Sequence, residues 1–323
     1  MNLLDVEHLS VRLPTASGPI TIVDDVSYQV EQGKVFGVAG ESGSGKTISM
    51  LALMKLLPDG AQIDGTASFG GHDLLALRRR ALQAVRGAEI AMVFQDPLTS
   101  LHPMLSIGRQ LTEHVRFHEG LKRKAADARA RELLEQVRIP DPEGTLHAFP
   151  HQFSGGMRQR IAIAVALACR PKLLIADEPT TALDVTVQAG ILRLLDTLRR
   201  ETGLSVILIT HDLGVMSSIA DSVSVFYAGR IVESGSTREV LGAPRHPYTR
   251  ALLDALPHPE ASADRELVAI AGTPPTPAGR PSGCAFHPRC TYAKDSCVEH
   301  VPPLVPIGDG RLLACPIDPF ATA

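Results

Sequence analysis

Tryptophan is absent from the 323-residue chain, and Phe and Tyr together make up 4% of it. So few rings leave no base-stacking platform for single-stranded nucleic acid. Excess positive charge is missing as well: 32 Lys and Arg stand against 35 Asp and Glu, for a formal net charge of −3. With a pI near 6.5, no dominant basic face is implied and nucleic acid is not expected as a partner. Long apolar runs are also wanting. The longest, IAIAVALAC at 161–169 and LSVILIT at 204–210, fall well short of the roughly 20 residues that a bilayer-spanning helix needs. MNLLDVEHLS at the N-terminus lacks the basic-then-apolar layout of a secretory leader. The expectation is a cytosolic chain that reaches a membrane only through a partner.

Cysteine is scarce and unevenly spread. Four of the five, Cys284, Cys290, Cys297 and Cys315, fall within residues 257–323, as do twelve of the 24 prolines. The composition therefore divides the chain into a globular domain over 1–256 and a Pro- and Cys-rich extension over 257–323. A piece as short as the extension usually needs a metal or covalent staple to hold one shape. The hydrophobic share of 44% is enough for a real core in the larger part. There, Val- and Ile-rich runs at 20–30, 34–39, 89–94, 172–177, 204–210 and 222–227 read as strands. Segments 46–57, 122–138 and 184–201 carry helical spacing between them. The pattern predicts an α/β layered fold with a largely parallel sheet, interrupted by a mostly helical lobe over about 95–170.

After the apolar run at 35–39 comes GESGSGKT: Gly40, Glu41, Ser42, Gly43, Ser44, Gly45, Lys46 and Thr47. The strand–loop–helix setting is that of a P-loop NTPase phosphate cradle, in which backbone N–H groups and a helix N-terminus converge on phosphate oxygens. Lys46 would neutralise β/γ-phosphate charge, and the Thr47 hydroxyl would help hold Mg²⁺. A second centre, Asp177-Glu178, closes the run LLIAD at 173–177. Carboxylates at the C-terminal end of a buried strand lie where open parallel sheets bind ligands. Asp177 would hold Mg²⁺, and Glu178 would polarise the attacking water. Between the two motifs, FSGGMRQR at 153–160 places Ser154, Gly155 and Gly156 at a helix N-terminus, a second anion site in one chain.

Together these motifs resemble the nucleotide-binding subunit of an ABC transporter. FSGGM resembles the LSGGQ signature, with Phe153 and Met157 as variations. Gln95 in VFQDP resembles the Q-loop, Thr181-Ala182-Leu183-Asp184 the D-loop, and His211 the switch histidine. The resemblance implies two cassettes facing head to tail, each signature clamping the other's ATP. Ser154, Gly155 and Gly156 would then act on the partner's nucleotide, and Lys46, Thr47, Gln95, Asp177, Glu178 and His211 on this chain's own. The family usually sets an aromatic ring near the N-terminal strand to stack on adenine. Leu13 occupies that place and Tyr28 reads as part of the next strand, so the adenine contact is unassigned.

The cysteine spacing in the extension, C-x5-C-x6-C-x17-C, lacks C-x-x-C knuckles. From chemistry alone it leaves open an iron–sulfur cluster, a zinc ion or free thiols. Cys169 reads as a small core residue of the helix after the signature. His246-Pro247-Tyr248 and the C-terminal cysteine layout resemble ATP-binding subunits of dipeptide and oligopeptide importers, some of which carry a 4Fe–4S cluster. That resemblance favours a cluster on Cys284, Cys290, Cys297 and Cys315, with zinc as the alternative. It implies an ATPase on the cytoplasmic face of the cell membrane, peripheral to two permease subunits. A second, related ATP-binding subunit and, indirectly, an extracytoplasmic peptide-binding protein complete the set. Nickel, antimicrobial or cell-wall peptides are alternative cargoes for the same engine. A soluble ABC ATPase of translation or DNA repair is the alternative outside transport.

Overall fold

The computed structural model describes residues 1–96, 100–181, 183–256, 269–308 and 310–321. In chain order the elements begin β1 (Asn2–Leu13), β2 (Ile20–Glu31), β3 (Val35–Ala39), α1 (Lys46–Leu53), β4 (Gln62–Phe69) and β5 (His72–Asp73). The central part holds α2 (Arg79–Val85), β6 (Ile90–Val93), α3 (Ile107–Glu119), α4 (Arg123–Gln136), α5 (Pro142–His147), α6 (Gly155–Ala166), β7 (Leu173–Asp177), α7 (Val185–Thr202) and β8 (Ser205–Ile209). Then follow α8 (Leu213–Ile219), β9 (Ser222–Tyr227), β10 (Arg230–Ser236), α9 (Thr237–Gly242), α10 (Pro247–Asp254), α11 (Ser296–Glu299), β11 (Val305–Gly308) and β12 (Arg311–Leu313). Two compact units share these elements, one built on 30–35 and 76–209 with Met1, the other on 2–29, 36–75 and 210–323. Pro97, Ala182 and the first residues of the extension, 257–268, lie outside the described residues.

In the first unit β6, β7 and β8 pair in parallel, in the register Ile90↔Leu173 and Leu173↔Ser205. Every residue of β7 and β8 is buried, which explains their unbroken apolar runs: a parallel strand covered on both faces has no solvent side to alternate with. Helix α7 buries Ile191, Leu194, Leu195 and Leu198 as one stripe. Asp184 caps its start by accepting from Val187 N–H at 2.9 Å, and Gly203 ends it at φ 72°. Helices α3 to α6 lie between residues 107 and 166. Cys169 sits in the turn beyond α6, half-buried rather than within the helix core, and burial pushes its thiol up to about 11.

The second unit holds what the apolar runs did not announce. Its four-stranded sheet, ordered β2-β1-β4-β5, pairs β1 with β4 antiparallel, so the sheet content is mixed rather than largely parallel. β3 and β9 pair in parallel, Phe36↔Ser222, and β9 continues antiparallel into β10. The extension adds to that edge: β12 pairs with β10, and β11 with β12. Glu233 on β10 is wholly buried. Its carboxylate accepts from the N–H groups of Arg245 and His246 at 2.8 and 3.0 Å and pairs with Arg311. Both Glu233 oxygens thus have partners, while the buried Arg311 Nε has none, so the carboxylate is the better-satisfied half of this pair. Below it lies an apolar cluster containing Met216, Val225, Tyr227, Tyr248 and Phe286.

Candidate functional site

The phosphate loop connects β3 to α1 in the second unit. Gly40, Gly43 and Gly45 take φ of 139°, 76° and 99°, a left-handed course that only glycine adopts without strain. At Gly40 a side chain is doubly excluded, since a Cβ would run into the Phe226 carbonyl oxygen. Lys46 is 5% exposed, and its ammonium donates to the Gly40 and Glu41 carbonyls at 2.7 and 2.8 Å. The cation is thereby held inside the loop, where phosphate charge is recognised. Ser42 and Gly43 are exposed, Ser44 and Gly45 buried, and Thr47 half-buried in the first turn of α1.

Glu41 is fastened on every side. Its carboxylate takes a bidentate pair from Arg289 at 2.8 and 3.1 Å, and its N–H donates to the Tyr248 hydroxyl at 2.8 Å. Neither Arg289 nor Tyr248 was singled out for the nucleotide site from sequence. The only signals were a charged residue beside a cysteine and the His246-Pro247-Tyr248 triplet. The triplet has a local explanation. His246 caps α10, its Nδ1 accepting from Tyr248 N–H at 3.0 Å, and Pro247 occupies the first turn where no N–H is needed. Burial pushes His246 down to about 3, so the ring is neutral and free to accept. Tyr28 is a core residue: it is buried, stacks on Phe36 at 5.1 Å and points its hydroxyl at Met50 Sδ. It therefore offers no face to adenine, and Leu13 at the end of β1 is half-buried.

The acidic pair and the signature belong to the first unit. Asp177 is 3% exposed at the end of β7. Glu178 follows with φ 45°, uncommon for a side chain without local hydrogen bonding to the backbone. Its N–H donates to the Ile209 carbonyl, and its Oε2 accepts from Gln95 Nε2 at 2.9 Å and from the Thr181 hydroxyl at 2.8 Å. The Gln95 amide and the Thr181 hydroxyl thus meet at one oxygen of the Glu178 carboxylate. Ser154 caps α6 by accepting from Met157 N–H, and Ser154 and Gly155 are exposed at the helix N-terminus. Gly156 packs more tightly, since a Cβ there would lie 2.5 Å from Val187 Cγ1 at the start of α7. His211 is exposed in the turn after β8, next to Asp212, which caps α8. Thr47 in the second unit, and Gln95 and Asp177 in the first, each carry an oxygen donor of the hard type that Mg²⁺ takes.

Cys284, Cys290, Cys297 and Cys315 line one small cavity of the second unit with His246, Phe286 and Tyr292. Burial pushes Cys284 up to about 11, and the Cys297, Cys315 and Cys290 sulfurs add to the shift. Burial likewise raises Cys290 and Cys315. Burial thus disfavours the thiolate at Cys284, Cys290 and Cys315, the form in which a cysteine binds metal. Among the described residues, no group of three His, Cys, Asp or Glu side chains is arranged to hold a metal ion.

A glycine-built phosphate loop between β3 and α1, in a chain whose buried strand β7 ends in two carboxylates, defines a P-loop NTPase. Comparison with known proteins narrows this. The family model described as ABC transporter matches residues 23–181, and that described as oligopeptide/dipeptide transporter, C-terminal region, matches 232–297. The dipeptide transport ATP-binding protein DppD of Escherichia coli K12 is 48% identical over 98% of both chains. The oligopeptide transport ATP-binding protein OppD of Bacillus subtilis 168 is 48% identical over 95% of this chain and 86% of its own. Among solved structures, the cassette MJ0796, in a dimeric post-hydrolysis state bound to ADP and Pi, superposes with a TM-score of 0.65. It is 26% identical and covers 73% of this chain and 99% of its own. The chain belongs to the ABC transporter family, alongside the dipeptide and oligopeptide transport ATP-binding proteins.

Proposed function

We propose that this chain is the ATP-hydrolysing subunit of an importer of dipeptides or oligopeptides. The observation that carries the nucleotide reading is the phosphate loop itself, whose left-handed glycines and loop-held Lys46 have no other evident use. Gly40 to Thr47 would hold the β- and γ-phosphates, with Thr47, Gln95 and Asp177 holding Mg²⁺. The ion supplies charge neutralisation of the phosphate oxygens when bound. Glu178, aimed by Gln95 and Thr181, would accept the proton of the water that attacks the γ-phosphorus, and ADP leaves. His211 would contact the γ-phosphate. Ser154, Gly155 and Gly156 would clamp the nucleotide of a second, related ATP-binding subunit through exposed N–H groups at a helix N-terminus.

The functional division we propose keeps 1–256 as the nucleotide-binding domain and 257–323 as the extension. Peptide as cargo is supported by relatives that match nearly end to end. Permease subunits and a peptide-binding protein on the far side would complete such an importer; no described helix is long and apolar enough to cross a membrane. Met104 and Phe117 stand 78% and 74% exposed on the lobe, apolar side chains of the kind that dock onto a partner. The four cysteines would hold a 4Fe–4S cluster, which fixes the shape of the extension when bound. In membranes containing the whole transporter, Glu178→Gln is expected to retain ATP binding and lose about 10²–10⁴ in turnover and peptide uptake. Wild-type turnover in that variant, with the partner subunit's site inactivated, would remove Glu178 from the chemistry.

A further inference from the structure

A glycine-rich loop has many conformations to lose before it can grip a phosphate, and whatever restrains it in advance tightens binding. In this protein the restraint comes from the cysteine-bearing extension. Arg289 precedes Cys290 and is almost fully buried, its side chain 5% exposed. Its two terminal nitrogens take the two oxygens of Glu41, and one of them also donates to the Tyr227 hydroxyl at 3.3 Å. Its Nε donates to the Ala271 carbonyl at 2.9 Å, so the guanidinium fork is fixed from behind. Its Cζ lies 5.8 Å from the ring centres of Tyr227 and Phe286, which with Tyr248 form a mutually packed trio. The Glu41 carboxylate, through hydrogen bonding, holds Arg289 charged well above its ordinary range.

Tyr248 completes the hold by accepting the Glu41 N–H, while the Glu41 carbonyl accepts from Lys46. All three polar groups of Glu41 are thereby committed, two of them to residues far along the chain. Nothing in phosphate-loop chemistry requires an acid at this second position. A buried fork aimed at that acid does.

We propose that Arg289 is a positioning residue for the phosphate loop, and that through it the cysteine-bearing extension sets this chain's affinity for ATP. The proposal rests on the nucleotide reading given above. Its test is equilibrium titration of the full-length chain with a fluorescent N-methylanthraniloyl ATP analogue. Arg289→Ala is expected to bind about tenfold more weakly, the loss of one charge-assisted interaction. Arg289→Lys, which keeps charge without the fork, falls between. Glu41→Gln leaves Arg289 and the extension in place, so it keeps the test open if the alanine variant fails to fold. It too should weaken binding, and the double variant should be no weaker than Arg289→Ala alone. A merely structural role would instead lower the fraction of chains that bind while leaving the dissociation constant unmoved. Binding within about twofold of wild type in both Arg289→Ala and Glu41→Gln would overturn the proposal. Lys46→Ala serves as the separate control. Unchanged binding there would remove the nucleotide reading itself, whereas loss there with no effect at Arg289 would remove only the positioning role.

Discussion

Glu178 keeps a backbone conformation that costs of order 1–3 kcal/mol for most residues, and it does so where two side chains converge on its carboxylate. A strained residue persists only if its surroundings over-determine it. The Ile209 carbonyl, Gln95 and Thr181 do so here. The cysteines pose the opposite problem, since they line one cavity and burial discourages Cys284, Cys290 and Cys315 from ionising. A cation bound there would favour the thiolates and contribute to folding directly. Anaerobically purified protein is expected to carry iron and acid-labile sulfide, about four of each per chain, lost together on Cys297→Ser. About one zinc per chain without sulfide would assign the site to zinc, and alkylatable thiols with neither would remove it.

Among the elements, α6 and α7 meet where the signature begins. Gly156→Ala would press a methyl group onto Val187, a β-branched side chain with little freedom to turn aside. Urea unfolding should show a loss of about 1–3 kcal/mol. Binding of ATP by the variant's own phosphate loop should persist, and ATP-dependent association should be lost. Wild-type stability and association would show that the helix ends have room to spare. The buried strands were plain in sequence because LLIAD and SVILI have no polar phase to blur them. β1 is absent from the apolar runs for a definite reason. Leu4 and Val6 alternate, then the register shifts between Glu7 and Ser10, with His8 at φ 53°, before Leu9 and Val11 resume on the other parity. Opposite that bulge stands Gly65, where a Cβ would lie 2.6 Å from the Glu7 carbonyl oxygen. β4 is accordingly short of bulky residues, and its signal is weak. The nucleotide motifs were legible because each is contiguous. The Arg289–Glu41 pair, 248 residues apart, could not be, since only the fold brings it together.

In the whole molecule, the phosphate loop and His211 belong to one compact unit, and the signature, Asp177 and Glu178 to the other. The extension belongs with the phosphate loop, contributing two strands to its sheet and Arg289 to its acid. The signature glycines have no anion of their own to hold if each chain has a single phosphate loop. On the proposed function, they would serve the nucleotide of a second copy or a related subunit. The direct measurement is sedimentation of the Glu178→Gln chain with its cognate ATP-binding subunit, with and without saturating Mg–ATP. A dimer that forms with nucleotide and dissociates when nucleotide is withdrawn is the predicted result. A species that stays monomeric at saturation would contradict the shared-nucleotide arrangement.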